Sequence, residues 1–374
     1  MSQGLYIHIP FCHSKCYYCD FYSRPVGKSS ISHYVDSVIR EYGNRKQAYG
    51  NSPSWNTVYI GGGTPSLIPI DELNRLVSCV TQSSTPEEFT IEANPEDITP
   101  LWIENVLATG ITRISMGVQS FDDNLLGNIG RRHSAEQSLK AIESLQSAGI
   151  EFSIDLIYGL PDQTLEDWER TLDILNVINP PHFSAYLLSY EPGTRLYLRR
   201  EQGKVKETDE ETAVRMYRAL CDFSGENGYK HYEISNFAKP EHEGRHNSSY
   251  WKDIPYLGLG PGAHSYDGVQ RSYNPPSLKD YSEALDNNRS PLIIEQEDYK
   301  EKFNDKLISA LRTSGGLALS SVEHLPDSDR SEILSQIEKL KKRGKLTVDP
   351  TGNIIIPEHL WIVSDSIFRQ LLLI

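Results

Sequence analysis

Short apolar runs alternate with longer amphipathic segments through the first half of the chain. The apolar runs have the length of buried strands, and the segments between them repeat apolar residues with the helical period. The predicted strands are Gly4–His8, Thr57–Ile60, Phe89–Glu92, Arg113–Val118, Phe152–Ile157 and His182–Leu188. The predicted helices are Ile31–Tyr49, Ile70–Val80, Pro100–Thr109, Ala135–Ala148 and Leu165–Ile178. This repeated strand–helix unit predicts an α/β protein with a parallel sheet and helices packed outside it.

Six strand–helix units would form about three-quarters of an eight-stranded barrel, which is a partial (β/α)6 barrel. In such barrels, ligands gather where loops leave the C-terminal ends of the strands. The unusual polar and glycine-rich segments of the chain fall at these ends. The first of them is the loop with the cysteines, which follows the first strand. The others are Gly61–Pro65, Glu92–Pro95, Gln119, and Asp155 with Gly159–Pro161. This agreement favours the barrel.

The alternation fades after about residue 195, where the chain changes character. Arg199–Tyr229 is predicted as a charged linker and helix, and residues 230–275, rich in Tyr, His, Gly and Pro, as loops. Helices at Lys302–Arg312 and Ser331–Arg343 precede a hairpin, and this order predicts a winged-helix-like module. We expect three parts, which are the barrel (1–195), a linker and loop-rich segment (196–295) and the C-terminal module (296–374).

Composition narrows the class of protein. The chain has 374 residues, of which 38% are hydrophobic and 24% charged, enough for several domains. Its formal net charge of −14 disfavours nucleic acid as a partner. No apolar stretch reaches the ~20 residues of a membrane-spanning helix. The N-terminus lacks a basic region and a cleavable signal, so we expect a cytoplasmic protein with reduced thiols.

Three cysteines, Cys12, Cys16 and Cys19, follow the first predicted strand with the spacing C-x3-C-x2-C. Iron–sulfur clusters are usually held by four thiolates. Three thiolates can hold a [4Fe–4S] cluster and leave one iron open to a small molecule, as a catalytic zinc keeps an open position. A disulfide framework is disfavoured, because only Cys79 and Cys221 remain and the total is odd.

Two alternatives to a cluster stay open, which are a zinc site and inert thiols. Zinc would need a fourth ligand, which His8 or His13 can supply, although no second Cys or His pair follows. Tyr17 and Tyr18, between the second and third cysteines, either shield a cluster and offer a ring for stacking or pack as ordinary aromatics.

Glycines and acids mark the ends of the next strands. Gly61–Pro65 lets the backbone approach a ligand closely, because glycine has no Cβ, although a simple turn explains it equally well. It is not a phosphate-binding loop, since no Gly-Lys-Ser/Thr follows. Glu92 and Asp155 are acids on otherwise apolar strands. Burying them is costly without partners, which favours either ligand binding or structural ion pairs.

The cysteine motif followed in order by GGGTP, IEANP, SMGVQSF and IDLIYGLP resembles the radical S-adenosylmethionine (SAM) superfamily. More narrowly, it resembles the branch that contains the oxygen-independent coproporphyrinogen III oxidases (HemN) and the related heme chaperones (HemW). The similarity extends to Gly258–Ser265 and weakens in the C-terminal module. It implies that SAM chelates the open iron and that an electron from the cluster can cleave it to a 5′-deoxyadenosyl radical.

The resemblance also implies roles for particular residues. The residues expected to contact SAM are Tyr6, Gly62, Gly63, Thr64 and Glu92, and Tyr18 is added for its ring. Three residues match positions that contact a second SAM in the oxidase branch, and these are Gln119, Arg131 and Asp155. For Arg131, a surface ion pair is the alternative.

Two features disfavour the oxidase activity. The oxidases carry a fourth cysteine two residues beyond the third, where this chain has Phe21. They also have a longer N-terminal segment that helps to form the porphyrinogen site, whereas eleven residues precede Cys12 here. We therefore expect substrate oxidation to be absent.

A third feature favours a heme carrier. The segment His246–Trp251 resembles the H-N-x-x-Y-W motif associated with heme binding in the chaperone branch. An imidazole can ligate heme iron, and Tyr and Trp offer flat apolar surface to the macrocycle. The competing histidines are His231, His242 and His264.

The sequence therefore predicts a heme chaperone that binds a [4Fe–4S] cluster, SAM and heme. By resemblance, its partners would be an electron donor and heme-requiring apo-proteins such as respiratory enzymes. The alternative is an oxygen-independent coproporphyrinogen III oxidase or another radical SAM enzyme that modifies a tetrapyrrole.

Overall fold

In the computed structural model, the six expected strands lie side by side in chain order and pair in parallel. Most of their residues are buried, as expected for a sheet covered on both faces. Their bounds are Gly4–Ile9, Thr57–Gly62, Glu88–Ala93, Arg113–Gln119, Glu151–Tyr158 and His182–Leu187. The strand order of a partial (β/α)6 barrel is therefore present.

Amphipathic helices connect these strands, as the apolar periodicity predicts. Ile70–Val80, for example, buries one apolar face. The helices after the fourth and fifth strands begin with reciprocal capping boxes, Ser134 with Gln137 and Thr164 with Asp167. The helices are Ser30–Arg45, Ile70–Val80, Pro100–Ala108, Asp123–Asn128, Ala135–Ala148 and Leu165–Ile178, and a 3-10 turn, Lys46–Tyr49, follows the first.

A seventh parallel strand, Tyr256–Leu259, pairs with the first strand on the side away from Thr57–Gly62. Antiparallel pairings continue the sheet outward through His264–Tyr266, Arg271–Tyr273 and Ile293–Ile294. The prediction of loops over residues 230–275 is therefore wrong. These strands have only two to four residues each. Their pairing with distant segments, rather than a local pattern, makes them strands.

The structure describes residues 3–27, 30–50, 53–82 and 85–374. The chain divides into two compact units. The first contains the residues up to Met216 together with Ile254–Glu295, and the second contains Tyr217–Asp253 and Gln296–Ile374. Further helices are Arg195–Glu201, Glu210–Glu226 and Leu278–Asp286. The division into a barrel, a linker and loop-rich segment and a C-terminal module stays a prediction, because the compactness of a unit does not assign a function to a segment.

The second unit combines small strands with helices. Lys230–Glu233 and Asn236–Ala238 form an antiparallel hairpin, and Thr347–Val348 with Ile354–Ile355 forms another. The predicted order of two helices followed by a hairpin is confirmed. The helices are Arg245–Trp251, Tyr299–Leu311, Asp327–Lys342 and Ser364–Phe368, and the 3-10 segments are Leu319–Val322 and Glu358–Val363. In the described part of the chain, no helix has both the length and the apolar character needed to cross a bilayer.

Candidate functional site

The three cysteines lie in the loop that follows the first strand, and all three thiols are free and partly buried. Phe11–Cys12 pairs in parallel with Arg24–Pro25, so the loop is closed at its base. Burial raises the pKa of Cys19 to about 11, and the Lys15 ammonium opposes that rise. Three partly buried thiols on one short loop suit a cationic metal group that can replace their protons.

The glycine-rich segment after the second strand passes directly over the cysteine loop. A Cβ on Gly63 would lie 2.5 Å from the carbonyl oxygen of Phe11 and 3.0 Å from Sγ of Cys12. Gly62 has a φ of 114°, and a Cβ there would lie 2.7 Å from the His8 ring. Only glycine allows this approach, so the simple-turn interpretation does not account for both positions.

The Glu92 carboxylate joins the second and third strands at this edge. One oxygen accepts a hydrogen bond from the Tyr59 hydroxyl at 2.8 Å, and the other accepts from the Gly62 N–H at 2.9 Å. Burial raises the pKa of Glu92 to about 7, with these two hydrogen bonds opposing it and Asp155 adding to it. Neither of these two donors carries a positive charge. The Glu92 carboxylate is therefore suited to accept a hydrogen bond from a ligand's amino group.

Tyr6 and His8 lie on the first strand beside this carboxylate. The Tyr6 hydroxyl is 3.0 Å from Nδ1 of His8, and Nε2 of His8 is 2.8 Å from the carbonyl oxygen of Tyr22. Burial lowers the pKa of His8, so the ring is neutral. Both ring nitrogens of His8 thus contact oxygen atoms of neighbouring residues, and His13 is exposed.

Arg131 reaches the cysteine loop from the segment after the fourth strand. Its Nη1 donates to Sγ of Cys16 at 3.6 Å, and its Nη2 donates to Asn94 Oδ1 at 2.8 Å and to the Gly117 carbonyl oxygen at 2.6 Å. A surface ion pair is therefore not its role. Its Nε is buried without a hydrogen-bond partner among the described residues. Such an orphaned donor fits a ligand that occupies this site.

Asn94 was not among the predicted site residues, although it lies in the IEANP motif. Its oxygen accepts from Arg131, and its amide group donates to Oγ1 of Thr64 at 3.4 Å. The Thr64 hydroxyl in turn donates to Sγ of Cys12 at 3.5 Å. Asn94 thus links the residues that contact two of the three cysteines, and its position two residues after a predicted strand end is the signal that could have found it.

Gln119 and Asp155 complete this edge of the sheet. Gln119 has a φ of 67° at an irregularity in the pairing of its strand, an unusual conformation for a residue with a side chain. Gly117 lies between Gln119 and Arg131, because a Cβ on it would be 2.9 Å from Gln119 Nε2 and 3.4 Å from Arg131 Nη2. Asp155 accepts a hydrogen bond from Ser115 at 3.1 Å, and burial raises its pKa.

Tyr17 and Tyr18 pack against a buried apolar cluster that includes Leu125 and Ile129. The Tyr17 backbone donates to the Ile129 carbonyl and accepts from the Leu196 N–H. Burial raises the pKa of Tyr18; the Arg131 guanidinium opposes this rise, and Cys16 and Cys19 add to it. Both tyrosines therefore anchor the loop, and Tyr18 also lies within electrostatic range of the cysteines.

His246 lies in the second unit, on the helix Arg245–Trp251. It is 1% exposed, and its Nε2 is 2.8 Å from the Tyr250 hydroxyl. Burial lowers the pKa of His246 to about 3, so the imidazole is neutral. A neutral imidazole has the protonation state that ligates iron, whereas the competing His264 is exposed and stacks on Tyr273.

Comparison with known proteins shows the family to which this chain belongs. The model of the radical SAM superfamily matches residues 6–175. A heme chaperone HemW of Synechocystis sp. is 34% identical over 356 residues, which cover 92% of this chain and 86% of that protein. A heme chaperone HemW of Lactococcus lactis is 35% identical over 376 residues, with coverage of 99% and 97%.

Among solved structures, coproporphyrinogen III oxidase (HemN) from Escherichia coli, a radical SAM enzyme, matches with a TM-score of 0.84. The match covers 99% of this chain and 90% of that chain at 23% identity, so it shows the fold alone. The superfamily's cofactors are a [4Fe–4S] cluster and SAM. The three thiols, the glycine-rich segment (here called the glycine cradle) and the unpartnered Arg131 Nε fit these cofactors. The roles of individual residues stay predictions. The chain belongs to the radical SAM superfamily and, within it, to the HemW family.

Proposed function

We propose that the protein is a heme chaperone that binds heme and delivers it to heme-requiring apo-proteins. The names of its relatives in Synechocystis and Lactococcus support this proposal, since both are heme chaperones. The clients would include respiratory enzymes, an electron donor would serve the cluster, and the reduced cysteines suit the cytoplasm.

The observation that carries the proposal is the state of His246. This imidazole is buried and neutral, and its Nε2 faces one hydroxyl, that of Tyr250, at 2.8 Å. The Trp251 indole N–H, at the end of the same helix, is buried with no hydrogen-bond partner in the described residues. A neutral imidazole beside two aromatic side chains suits an axial ligand for heme iron with apolar surface for the macrocycle.

The barrel supplies a second function in this proposal. When bound, the cluster and SAM provide one-electron chemistry that the side chains of the protein do not. The chain's own residues hold and orient them: the cysteines ligate, the Gly62–Thr64 backbone approaches closely, and Glu92 offers a carboxylate. Arg131 places a positive charge at Cys16.

The decisive experiment is a heme titration of anaerobically reconstituted protein, followed by the Soret band. We expect saturable binding in the wild type and a loss of at least tenfold in affinity in His246→Ala. His242→Ala and His264→Ala are matched controls and retain binding. The loaded protein is then mixed with an apo-globin, with and without SAM, and transfer is followed by the shift of the Soret band. Unchanged binding in His246→Ala would contradict the ligand assignment.

The second candidate is an enzyme acting on a tetrapyrrole, either the coproporphyrinogen oxidase or a SAM-dependent modifier. The fold match to HemN favours this candidate, and so do the contacts that the site residues make around the three cysteines. Against the oxidase, Phe21 occupies the position of the fourth cysteine, and its side chain is 63% exposed. Incubation with SAM, reductant and coproporphyrinogen separates the two, because the chaperone proposal expects no decarboxylated product.

A further inference from the structure

Three potential metal ligands of different chemical types meet in the second unit, outside the site described above. The thiol of Cys221, the imidazole of His231 and the carboxylate of Glu358 place their ligand atoms within 4.8 Å of one another. They come from the helix Glu210–Glu226, the strand Lys230–Glu233 and the 3-10 segment Glu358–Val363. We propose that these three side chains bind a zinc ion through Sγ of Cys221, Nδ1 of His231 and a carboxylate oxygen of Glu358.

The first argument is the arrangement around the His231 ring. Its Nδ1 lies 2.8 Å from Oε1 of Glu358, and its Nε2 lies 3.4 Å from the carbonyl oxygen of Ile234. Both oxygens are acceptors, whereas a neutral imidazole carries a single N–H. A metal ion on Nδ1 resolves this conflict, because Nε2–H then donates to the carbonyl, as metal-bound histidines usually do. An imidazolium paired with the carboxylate is the alternative that the experiment must exclude.

The second argument is that packing fixes the ligands. The His231 side chain is 3% exposed. The ring stacks on Phe237 with a centroid distance of 4.0 Å and meets the Trp361 ring edge-on at 4.4 Å. Turning the ring to present the other nitrogen would break these contacts. The Tyr217 hydroxyl donates to the Glu358 carbonyl oxygen at 2.7 Å, which holds the backbone of that ligand in place. Ligands held by packing and hydrogen bonds form a metal site with little rearrangement.

The third argument is the chemistry of the donor set. Calcium and magnesium take oxygen ligands, whereas zinc combines thiolate, imidazole and carboxylate in tetrahedral sites. Tetrahedral zinc holds its ligand atoms about 3.5 Å apart, so small side-chain rotations suffice to close the cluster. Three protein ligands leave a fourth position, and the Glu358 side chain is 50% exposed, so solvent can reach it. The ion would tie together three separate elements of the second unit.

The test measures zinc retained by the full-length protein with its iron–sulfur cluster assembled. Full iron and sulfide content is verified first, because empty cluster cysteines would themselves bind zinc. The protein is exposed to zinc, passed through a desalting column and analysed by plasma mass spectrometry. We expect one zinc ion per wild-type chain and at least a several-fold loss in Cys221→Ser and in Glu358→Gln, whose side chain is half-exposed.

Two control variants match these substitutions. Cys79→Ser removes the other thiol outside the cluster motif, and His359→Gln changes the exposed neighbour of Glu358 on the same 3-10 segment. Both retain zinc. Cobalt provides a second readout, since thiolate ligation gives an intense charge-transfer band that disappears in Cys221→Ser. The proposal is overturned if the wild type retains no zinc, or if Cys221→Ser retains as much as Cys79→Ser.

Discussion

One oxygen of the Glu92 carboxylate accepts a hydrogen bond from the backbone N–H of Gly62 at 2.9 Å. This bond ties the end of the third strand to the glycine-rich segment after the second strand. It therefore fixes the height at which Gly62 and Gly63 pass over the cysteine loop. An acid on a mostly apolar strand thus holds the glycine-rich segment in place, although its burial is electrostatically unfavourable.

Glu92 should make the stability of the cofactor-free protein depend on pH. Burial raises the pKa of Glu92 from 4.5 to about 7, so the folded protein holds a proton that the unfolded chain releases. The contribution is fully present below pH 4.5 and is lost as the pH rises through about 7. Compared with Glu92→Gln, the wild type should lose unfolding free energy between about pH 5 and pH 8. Urea titrations across this range measure the difference.

The pH dependence of that difference is decisive, because Glu92→Gln also replaces an acceptor of one hydrogen bond with a donor. The loss of that hydrogen bond changes the free energy of unfolding by an amount that does not depend on pH. Asp155 is also buried with a raised pKa, but it is present in both proteins, so only its interaction with Glu92 differs between them. A difference that stays constant from pH 5 to 8 would show that Glu92 is already ionised in the folded protein.

Gly63→Ala should prevent cluster assembly. The added Cβ would lie 2.5 Å from the Phe11 carbonyl oxygen and 2.9 Å from the Ile9 carbonyl oxygen, so backbone atoms leave no room for it. Overpacking of this kind costs about 1–3 kcal/mol. We expect iron and sulfide contents several-fold below those of the wild type after anaerobic reconstitution, with the far-UV circular dichroism preserved.

Gly43→Ala is the matched control for this substitution. Gly43 lies in the helix Ser30–Arg45, and a Cβ there would have no heavy atom within 4 Å. Alanine is also the better helix former by about 1 kcal/mol. Gly43→Ala should load its cluster like the wild type. Equal loading of Gly63→Ala would mean that the backbone moves aside and the cradle is not needed.

The sequence predicted the barrel strands well because each is a continuous buried run bounded by turn residues. Gly4–Ile9 and Glu151–Tyr158 agree with their predicted bounds to within one or two residues at each end. The same pattern failed for Tyr256–Leu259, whose four residues become a strand only through pairing with a segment about 250 residues away. Local periodicity carries no information on such a partner.

The candidate site was predictable where a motif dictates backbone geometry, as at Gly62 and Gly63. It was less predictable where side chains act through one another. Asn94, which links Thr64 to Arg131, carries no signal of its own beyond its place after a strand. The cluster of Cys221, His231 and Glu358 could not be predicted from the sequence, because Glu358 lies about 130 residues beyond the other two along the chain.

Tyr250→Phe should strengthen heme binding. The Tyr250 hydroxyl lies 2.8 Å from Nε2 of His246, the atom that would ligate the iron, so this contact must break on binding. A hydrogen bond contributes about 1 kcal/mol net, which corresponds to about a fivefold gain in affinity when it is removed. Stopped-flow association and equilibrium titration of the Soret band measure the effect. Tyr299→Phe, which removes an exposed hydroxyl of the same unit, is the control. Weaker heme binding by Tyr250→Phe would indicate that Tyr250 holds the heme instead of releasing His246.

Arg131 should raise the reduction potential of the cluster. Its guanidinium donates to Sγ of Cys16 at 3.6 Å, and hydrogen bonds and positive charge near a cluster sulfur favour the reduced, more negative form. Arg131→Met should therefore shift the potential to more negative values, as measured by an EPR-monitored redox titration with iron content matched to the wild type. Arg132→Met removes the neighbouring exposed charge and should leave the potential unchanged. A shift of equal size in both variants would mean that overall charge, and not the contact with Cys16, sets the potential; no shift in either would place Arg131 outside the electrostatic environment of the cluster.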